Sequence, residues 1–437
     1  MHATHMAWDF NTPGAIFLFL ILIGLFNFLF KWSSFTLKRA IYVFTITTLF
    51  WSLTYLNNPI AVIRPGWWLA NFLLISTAIN IFATTRGSSL ALNRSDLVLV
   101  YIMLLIVSAL CSMGMSQQLL PIISSLVYYA TPENKWQQLL GPLIPKQTIL
   151  VNDGKDNASF YEGLGAEQLI PWQFWLEPLC WWAIFLCALY VTMISVAIIL
   201  RRQWVERERL TFPLTQVGIA MVRGETDNKL HNKFFKNKMM WIGASLPLFI
   251  GSLQALHSYD PAFPVVPMTW IIPFVGNQNL QLSLFFSIIG FSYLINSHIA
   301  AGIWFFQLLS KIQSELFLIA GMQSKQTFVY GIADQPYMAY QGGGALITMV
   351  LLGLWVGREH IFGVFRKAFG LSSSISDKDE VSSYRFAVFS FLLGIFVMIG
   401  WLWLMGTKLW VAILFIGLAM LIFIGISRVV AEAGLAA

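Results

Sequence analysis

The sequence predicts an all-α fold: a polytopic transmembrane helix bundle of about 11 spans (range 9–12) with re-entrant or broken helices allowed, forming one integral membrane domain over residues 1–437. Three observations predict it. Mean hydropathy is +0.70. Only 11% of residues are charged, against about a quarter in soluble domains. The apolar runs are long and continuous, whereas a membrane barrel needs weakly alternating segments of about ten residues. The 18 Trp, 13 Tyr and 36 Phe suit a chain anchored at two lipid–water interfaces.

The first span is Ala15–Phe30, closed by Lys31. The flank before it carries Asp9 and no Lys or Arg, the reverse of the basic front of a cleavable signal. Ala40–Asn57, Trp67–Thr84 and Ser95–Met113 follow as spans. Gly114 then interrupts an apolar run, and Ser116, Gln117 and Gln118 precede Pro121. A broken or re-entrant helix fits that pattern as well as an outer-surface loop does, and transporter sites favour such breaks. The polar segment 131–171, with five acidic and three basic residues, is an outside loop, and its Asn157-Ala158-Ser159 has the form of a glycosylation acceptor.

The fifth span, Pro178–Leu200, ends in "LRRQWVERERLTFPL" and opens a basic cytoplasmic loop, 201–239. From Arg201 to Lys238 there are nine Lys and Arg against four Asp and Glu. Arg201 and Arg202 read as a stop at the cytoplasmic face. The alternating Glu206-Arg207-Glu208-Arg209 reads as a solvated helical turn with local pairs, each worth only about 0.2–0.5 kcal/mol. Thr211 is placed to cap a helix that Pro213 begins, because proline fits the first helical turn. The positive end of that helix, beside Arg207 and Arg209, is a candidate anion cap or cytoplasmic gate.

Met240–His257 is the sixth span, followed by Ser258–Gln281, whose prolines at 261, 264, 267 and 273 predict a rigid extended loop. The remaining spans are Leu282–Gly302, Trp304–Gly321, Tyr340–Trp355, Arg385–Met405 and Leu409–Ser427, with a cytoplasmic linker at 357–384. Trp304–Gly321 carries Gln307, Lys311 and Glu315 at steps of four, so it either crosses or lies in the interface with a wet face. Letting it cross places 20 Lys and Arg on the cytoplasmic side and six outside. That satisfies the positive-inside rule with the N-terminus outside and the C-terminus inside a bacterial inner membrane. A re-entrant pass at Gly114–Tyr129 or Phe328–Pro336 is the other way to satisfy it.

The net charge of +7 belongs to these cytoplasm-facing loops and points to no nucleic acid. Cys111, Cys180 and Cys187 lie in apolar runs without metal spacing and read as packed thiols. No P-loop, HExxH, GxSxG or CxxC motif occurs, so no catalytic residue, metal or cofactor is assigned.

Polar groups forced into hydrocarbon are costly, so they mark a cavity or a partner. Asn296, Ser297 and His298 fall within a predicted span, and an imidazole there is a candidate proton or substrate group. With Gln117, Gln118, Lys311 and Glu315 they form the candidate substrate pathway, and Arg207, Arg209, Thr211 and Pro213 the candidate gate or helix cap. A structural hydrogen-bond cluster between helices explains Asn296–His298 at least as readily. A run of glycines, Gly342–Gly344, reads as a loop-to-helix junction or a hinge.

At "RRQWVERERLTFPLTQVGIAMV" the chain resembles an uncharacterised bacterial family of multi-pass membrane proteins known only as a domain of unknown function. "YYATPENKW", "FYEGL", "IPW", "IGFSYL", "WFF" and "RVVAEAGL" extend the resemblance over most of the chain beyond about residue 90. Members of that family continue past the last of these, which implies that this chain is a fragment or half of a split protein. The family is distantly similar to the oligopeptide transporter superfamily through Leu210-Thr211-Phe212-Pro213. That resemblance implies secondary, proton-driven uptake of peptides or peptide-like metal chelates. "INSHI" departs from the family's pattern, which has an acidic residue near His298. The expected function is therefore an ion-coupled permease for a small organic solute, with the bilayer as partner and a homo-oligomer or companion subunit as a further one. The alternatives are a structural subunit of a larger complex and a membrane-embedded enzyme acting on a lipid-linked substrate.

Overall fold

The computed structural model describes residues 14–35, 37–56, 65–86, 90–110, 115–151, 157–164, 169–223, 232–322, 336–372 and 375–434. Long apolar helices dominate, as the uninterrupted hydrophobic runs require. In chain order the main elements are α1 (Gly14–Trp32), α2 (Leu37–Leu56), α3 (Pro65–Thr85), α4 (Arg94–Ala109), α5 (Ser116–Tyr128), α6 (Trp172–Arg202), α7 (Pro213–Arg223) and α8 (Lys238–Tyr259). A hairpin of β1 (Thr269–Val275) and β2 (Gln278–Ser283) follows. Then come α9 (Phe286–Ser292), α10 (Ser297–Ile319), α11 (Pro336–Val356), α12 (Arg358–Ala368), α13 (Tyr384–Leu404) and α14 (Leu409–Ala433).

Among the described residues, six helices are long and apolar enough to cross a membrane: α1, α6 with its π-helical extension to Arg207, α8, α11, α13 and α14. This fits an integral membrane protein. The structure corrects one expected span and one expected loop. Leu282–Gly302 is not one helix: its first residues finish β2, a seven-residue helix follows, and the chain restarts at Asn296 as the N-cap of α10. The Asn296 side chain accepts from the His298 backbone N–H at 3.2 Å, satisfying one of the donors that a helix start leaves free. Ser258–Gln281 is likewise not wholly an extended loop. Its second half forms β1 and the start of β2, with the register irregularity between Pro273 and Val275, where a proline's missing donor is tolerated.

The core is a bundle of α6, α13 and α14, with α12 laid against the ends of α6 and α13. Small residues allow close approach: a Cβ on Gly394 would meet Thr192 Oγ1 and come within 2.9 Å of the Ala188 carbonyl. Trp182 and Phe185 of α6 pack on Trp401 of α13, whose indole N–H donates to the Trp181 carbonyl at 2.9 Å. Ala188, Met398, Ile416 and Met420 continue this core toward α14. A second core joins α1, α4 and α7 through Phe19, Ile23, Leu97, Tyr101 and Met221. There the Tyr101 ring lies on Gly218, and its hydroxyl donates to the Leu214 carbonyl at 2.8 Å. Cys180 and Cys187, expected to be packed, are both exposed. They lie seven residues apart on the outer face of α6, where a weakly polar thiol suits lipid. Cys111 lies outside the described residues.

Candidate functional site

Two places gather polar side chains. The first is a cleft of about 790 Å³ between the hairpin and α10. The hairpin turn is Gly276-Asn277, and Gly276 has φ +52°, the positive value that a type II′ turn places on its first central residue. A Cβ there would run into the Glu315 carboxylate. Glu315 is buried, and its Oε2 accepts from the Asn277 backbone N–H at 3.2 Å and from Gln278 Nε2 at 3.4 Å. The turn is thereby fastened near the C-terminal end of α10. One and two turns back on the helix, Lys311 and Gln307 line the cleft, with Trp304 beside them and Asn279 and Gln281 on the hairpin.

The expected polar face of α10 is therefore present but divided. Gln307 and Lys311 line a cavity, whereas Glu315 turns inward to hold the hairpin instead of pairing with Lys311. Asn296, Ser297 and His298 sit exposed at the start of α10 and outside the cleft lining. Gln117 and Gln118 lie in α5, which contributes nothing to the cleft. The break at Gly114 and the stretch Phe328–Gln335 lie outside the described residues. Gly342–Gly344 lie within α11, not at a junction, and a Cβ on any of them would meet open space. Gln278, Asn279 and Gln281 were not singled out from the sequence. The Gly-Asn dipeptide followed by alternating Leu280 and Leu282 is the local signal that marks a hairpin there.

The second place is the end of the core bundle, where the charged run after α6 lies. Its pairs are both long-range and local, and the long-range one at Glu208 corrects the solvated-turn reading for that residue. Glu208 pairs with Arg428 of α14 at 2.7 Å, and Arg428 also holds Glu432 at 3.1 Å. Gln203 is buried and donates to Glu208 at 3.0 Å. Arg201 makes a two-pronged contact with Glu380 of the 357–384 linker, at 2.6 and 2.9 Å. The Arg201 guanidinium lowers the Glu380 carboxyl below its ordinary range, and Lys367 at 2.7 Å does the same to Asp377. Glu206 does pair locally, but with Arg202 one turn before the alternating run, at 2.8 Å.

Pro213 begins a helix as expected, but Thr211 does not cap it. Phe212 takes a positive φ of 46°, and its N–H donates to the Ala431 carbonyl. The Thr211 hydroxyl donates to the Glu432 carbonyl at 2.9 Å. This turn is thus tied to the end of α14, whose free carbonyls need donors. Arg207 and Arg209 are exposed. His360 of α12, buried and donating from Nε2 to the Ile199 carbonyl at 3.0 Å, was missed because a single histidine in an amphipathic segment carries no sequence signal. Burial lowers its pKa. Most of these groups are met internally, the buried Gln203 Oε1 being left without a partner, so this end reads chiefly as a fastening. Among the described residues no group of three or more His, Cys, Asp or Glu is placed to hold a metal.

No curated protein and no solved structure matches the chain. A family model does, over residues 30–437, and the chain belongs to that family, DUF6785, a family of unknown function.

Proposed function

We propose that this protein is a secondary transporter or permease, similar in type to the oligopeptide transporters, and that the cleft between the hairpin and α10 lies on its solute pathway. The solute is small and organic, such as a short peptide or a metal chelate, and its movement is ion-coupled. The observation that carries this reading is the cleft itself. A lysine and several amides surround about 790 Å³ in a chain whose other long helices are almost wholly apolar. That volume falls in the usual range of ligand sites, roughly 300–1,000 Å³. Polar groups within a membrane-embedded chain are retained where a cavity or pathway uses them.

The segment order supports a dip into the membrane at this point. The ends of α6 and α14, the start of α13 and α12 after α11 are tied to one end of the bundle by the ion pairs above. If α8 leaves that end and α11 returns to it, the chain between them enters and leaves on the far side. Within 260–335 the described residues supply one helix of spanning length, α10. A hairpin and helix that enter and return fit that constraint, as do the broken elements that transporters use to build sites. In our reading the shared basic end is cytoplasmic, the membrane is the bacterial inner membrane, and the N-terminus is outside.

The test is uptake into proteoliposomes from a mixed pool of short peptides and metal chelates, with and without a pH gradient. Gradient-dependent uptake that drops about tenfold or more in Lys311→Met, a loss of at least 1.4 kcal/mol of binding, supports the reading. Folded protein that takes up nothing above empty liposomes contradicts it. A second reading, a membrane subunit of a larger assembly, rests on α8, which has no buried residue along Lys238–Tyr259. Co-purification of a stoichiometric companion from the native membrane, with no uptake by the isolated chain, would favour it.

A further inference from the structure

We propose that the cleft takes an anionic group, a carboxylate or phosphate, and that Lys311 is the residue that selects it. The inference rests on reading the cleft as a solute site. Lys311 is half-buried and makes no ion pair among the described residues. Its natural partner, the carboxylate one turn on, is committed elsewhere. Glu315 is buried beneath the hairpin turn, where it satisfies the Asn277 N–H and the Gln278 amide. Turning it toward Lys311 would leave those two donors unpaired, and an unmet buried donor costs about 1–3 kcal/mol. Glu315 therefore does not neutralise the lysine.

The rest of the lining is neutral. Gln278, Asn279, Gln281 and Gln307 offer amides, and Trp304 offers an indole; among the described residues no other charged side chain lines the space. A cation held in such surroundings without a counter-charge is costly, and a ligand that brings one offsets the cost. Gln307 and Lys311 are four residues apart and so lie on one face of α10. One anionic group can take the Lys311 ammonium and the Gln307 amide together. The cleft is larger than an inorganic anion, so the charge belongs to a bigger molecule: a free organic acid or phosphate ester, or a lipid headgroup.

The experiment uses the full chain, labelled with 5-fluorotryptophan, in nanodiscs of phosphatidylcholine alone or of phosphatidylcholine mixed with phosphatidylglycerol. The Trp304 fluorine resonance is assigned with Trp304→Phe. Inorganic phosphate, succinate, neutral trehalose and cationic choline are titrated separately. We expect phosphate or succinate to move the Trp304 resonance in phosphatidylcholine discs, or phosphatidylglycerol to move it without them. The first result identifies a free anion and the second a headgroup. The apparent affinity should fall about tenfold or more in Lys311→Met and stay within about threefold in Lys311→Arg, as loss and retention of one charge-assisted contact require. If Lys311→Met does not fold, the weakening of the wild-type shift by added salt replaces it, because a charge contact is screened. A shift with trehalose or choline and none with any anion overturns the anion assignment while leaving a solute site in place. An anion shift that Lys311→Met leaves unchanged overturns the role of Lys311. No shift under any condition overturns both the inference and the reading beneath it.

Discussion

Glu315 and Gly276 set the geometry of the cleft between them. The glycine supplies a positive φ and leaves room for the carboxylate; the carboxylate ties the turn to the helix. Gly276→Ala should destabilise the hairpin by about 1–3 kcal/mol, the usual cost of holding a non-glycine residue in a sparsely populated backbone region. Hydrogen exchange over Thr269–Ser283 reads this directly; unchanged protection would refute the fastening. At the other pole, Glu380 has its side chain almost fully buried against Arg201. Its folded pKa lies below the ordinary 4.5 because Arg201 stabilises the charged form. The unfolded chain therefore takes up the proton first as pH falls. The pair's contribution is complete above about 4.5 and is lost as pH drops through the lower folded value. Asp377, lowered by Lys367, acts in the same direction. Thermal unfolding in detergent between neutral and acid pH should show this loss, and Glu380→Gln should lower stability at pH 7 and flatten the acid limb. An acid limb as steep in the variant would place the pH dependence elsewhere.

Helix contacts make equally specific demands. Gly394 has no room for a Cβ beside Thr192, whereas Gly400 on the same helix faces open space. Gly394→Ala should lower the unfolding temperature, at about 1–3 kcal/mol for an overpacked contact. Gly400→Ala should leave it unchanged or raised, because alanine is the better helix former. Equal effects would mean that α6 and α13 do not meet as described. The same elements show where sequence is informative. Leu409–Ser427 and Arg385–Met405 are uninterrupted apolar runs, and the helices found there cover them closely. Leu282–Gly302 is also apolar on average but hides a strand end, a short helix and an N-cap, because averaging erases a break at Asn296. The prolines of 258–281 likewise masked the Gly276-Asn277 turn. Gln307 and Lys311 were legible as candidates from their spacing alone. The inward turn of Glu315 and the pairing of Glu208 with Arg428 were not, since each depends on a partner more than 30 residues away.

The whole molecule exposes 28,981 Å², against about 17,000 Å² for a compact soluble protein of this mass. Many large hydrophobic side chains on the helices are exposed, and α8 has no buried residue along its length. Lipid or another protein covers such a surface in place of water. Cys180 and Cys187 on the outer face of α6 should therefore react with a lipid-soluble maleimide in intact membranes and resist a membrane-impermeant one. Ready labelling of both by the impermeant reagent would contradict a lipid-facing α6. The cleft should behave in the opposite way, because a solute pathway must admit water. The decisive measurement is Gln307→Cys, with Cys111, Cys180 and Cys187 replaced by alanine, treated in membrane vesicles with a charged, impermeant thiol reagent. A water-filled pathway predicts rapid modification at residue 307 from one side of the membrane. Modification by a lipid-soluble reagent alone would show that the cleft is filled by lipid or protein, and would contradict a solute pathway along α10.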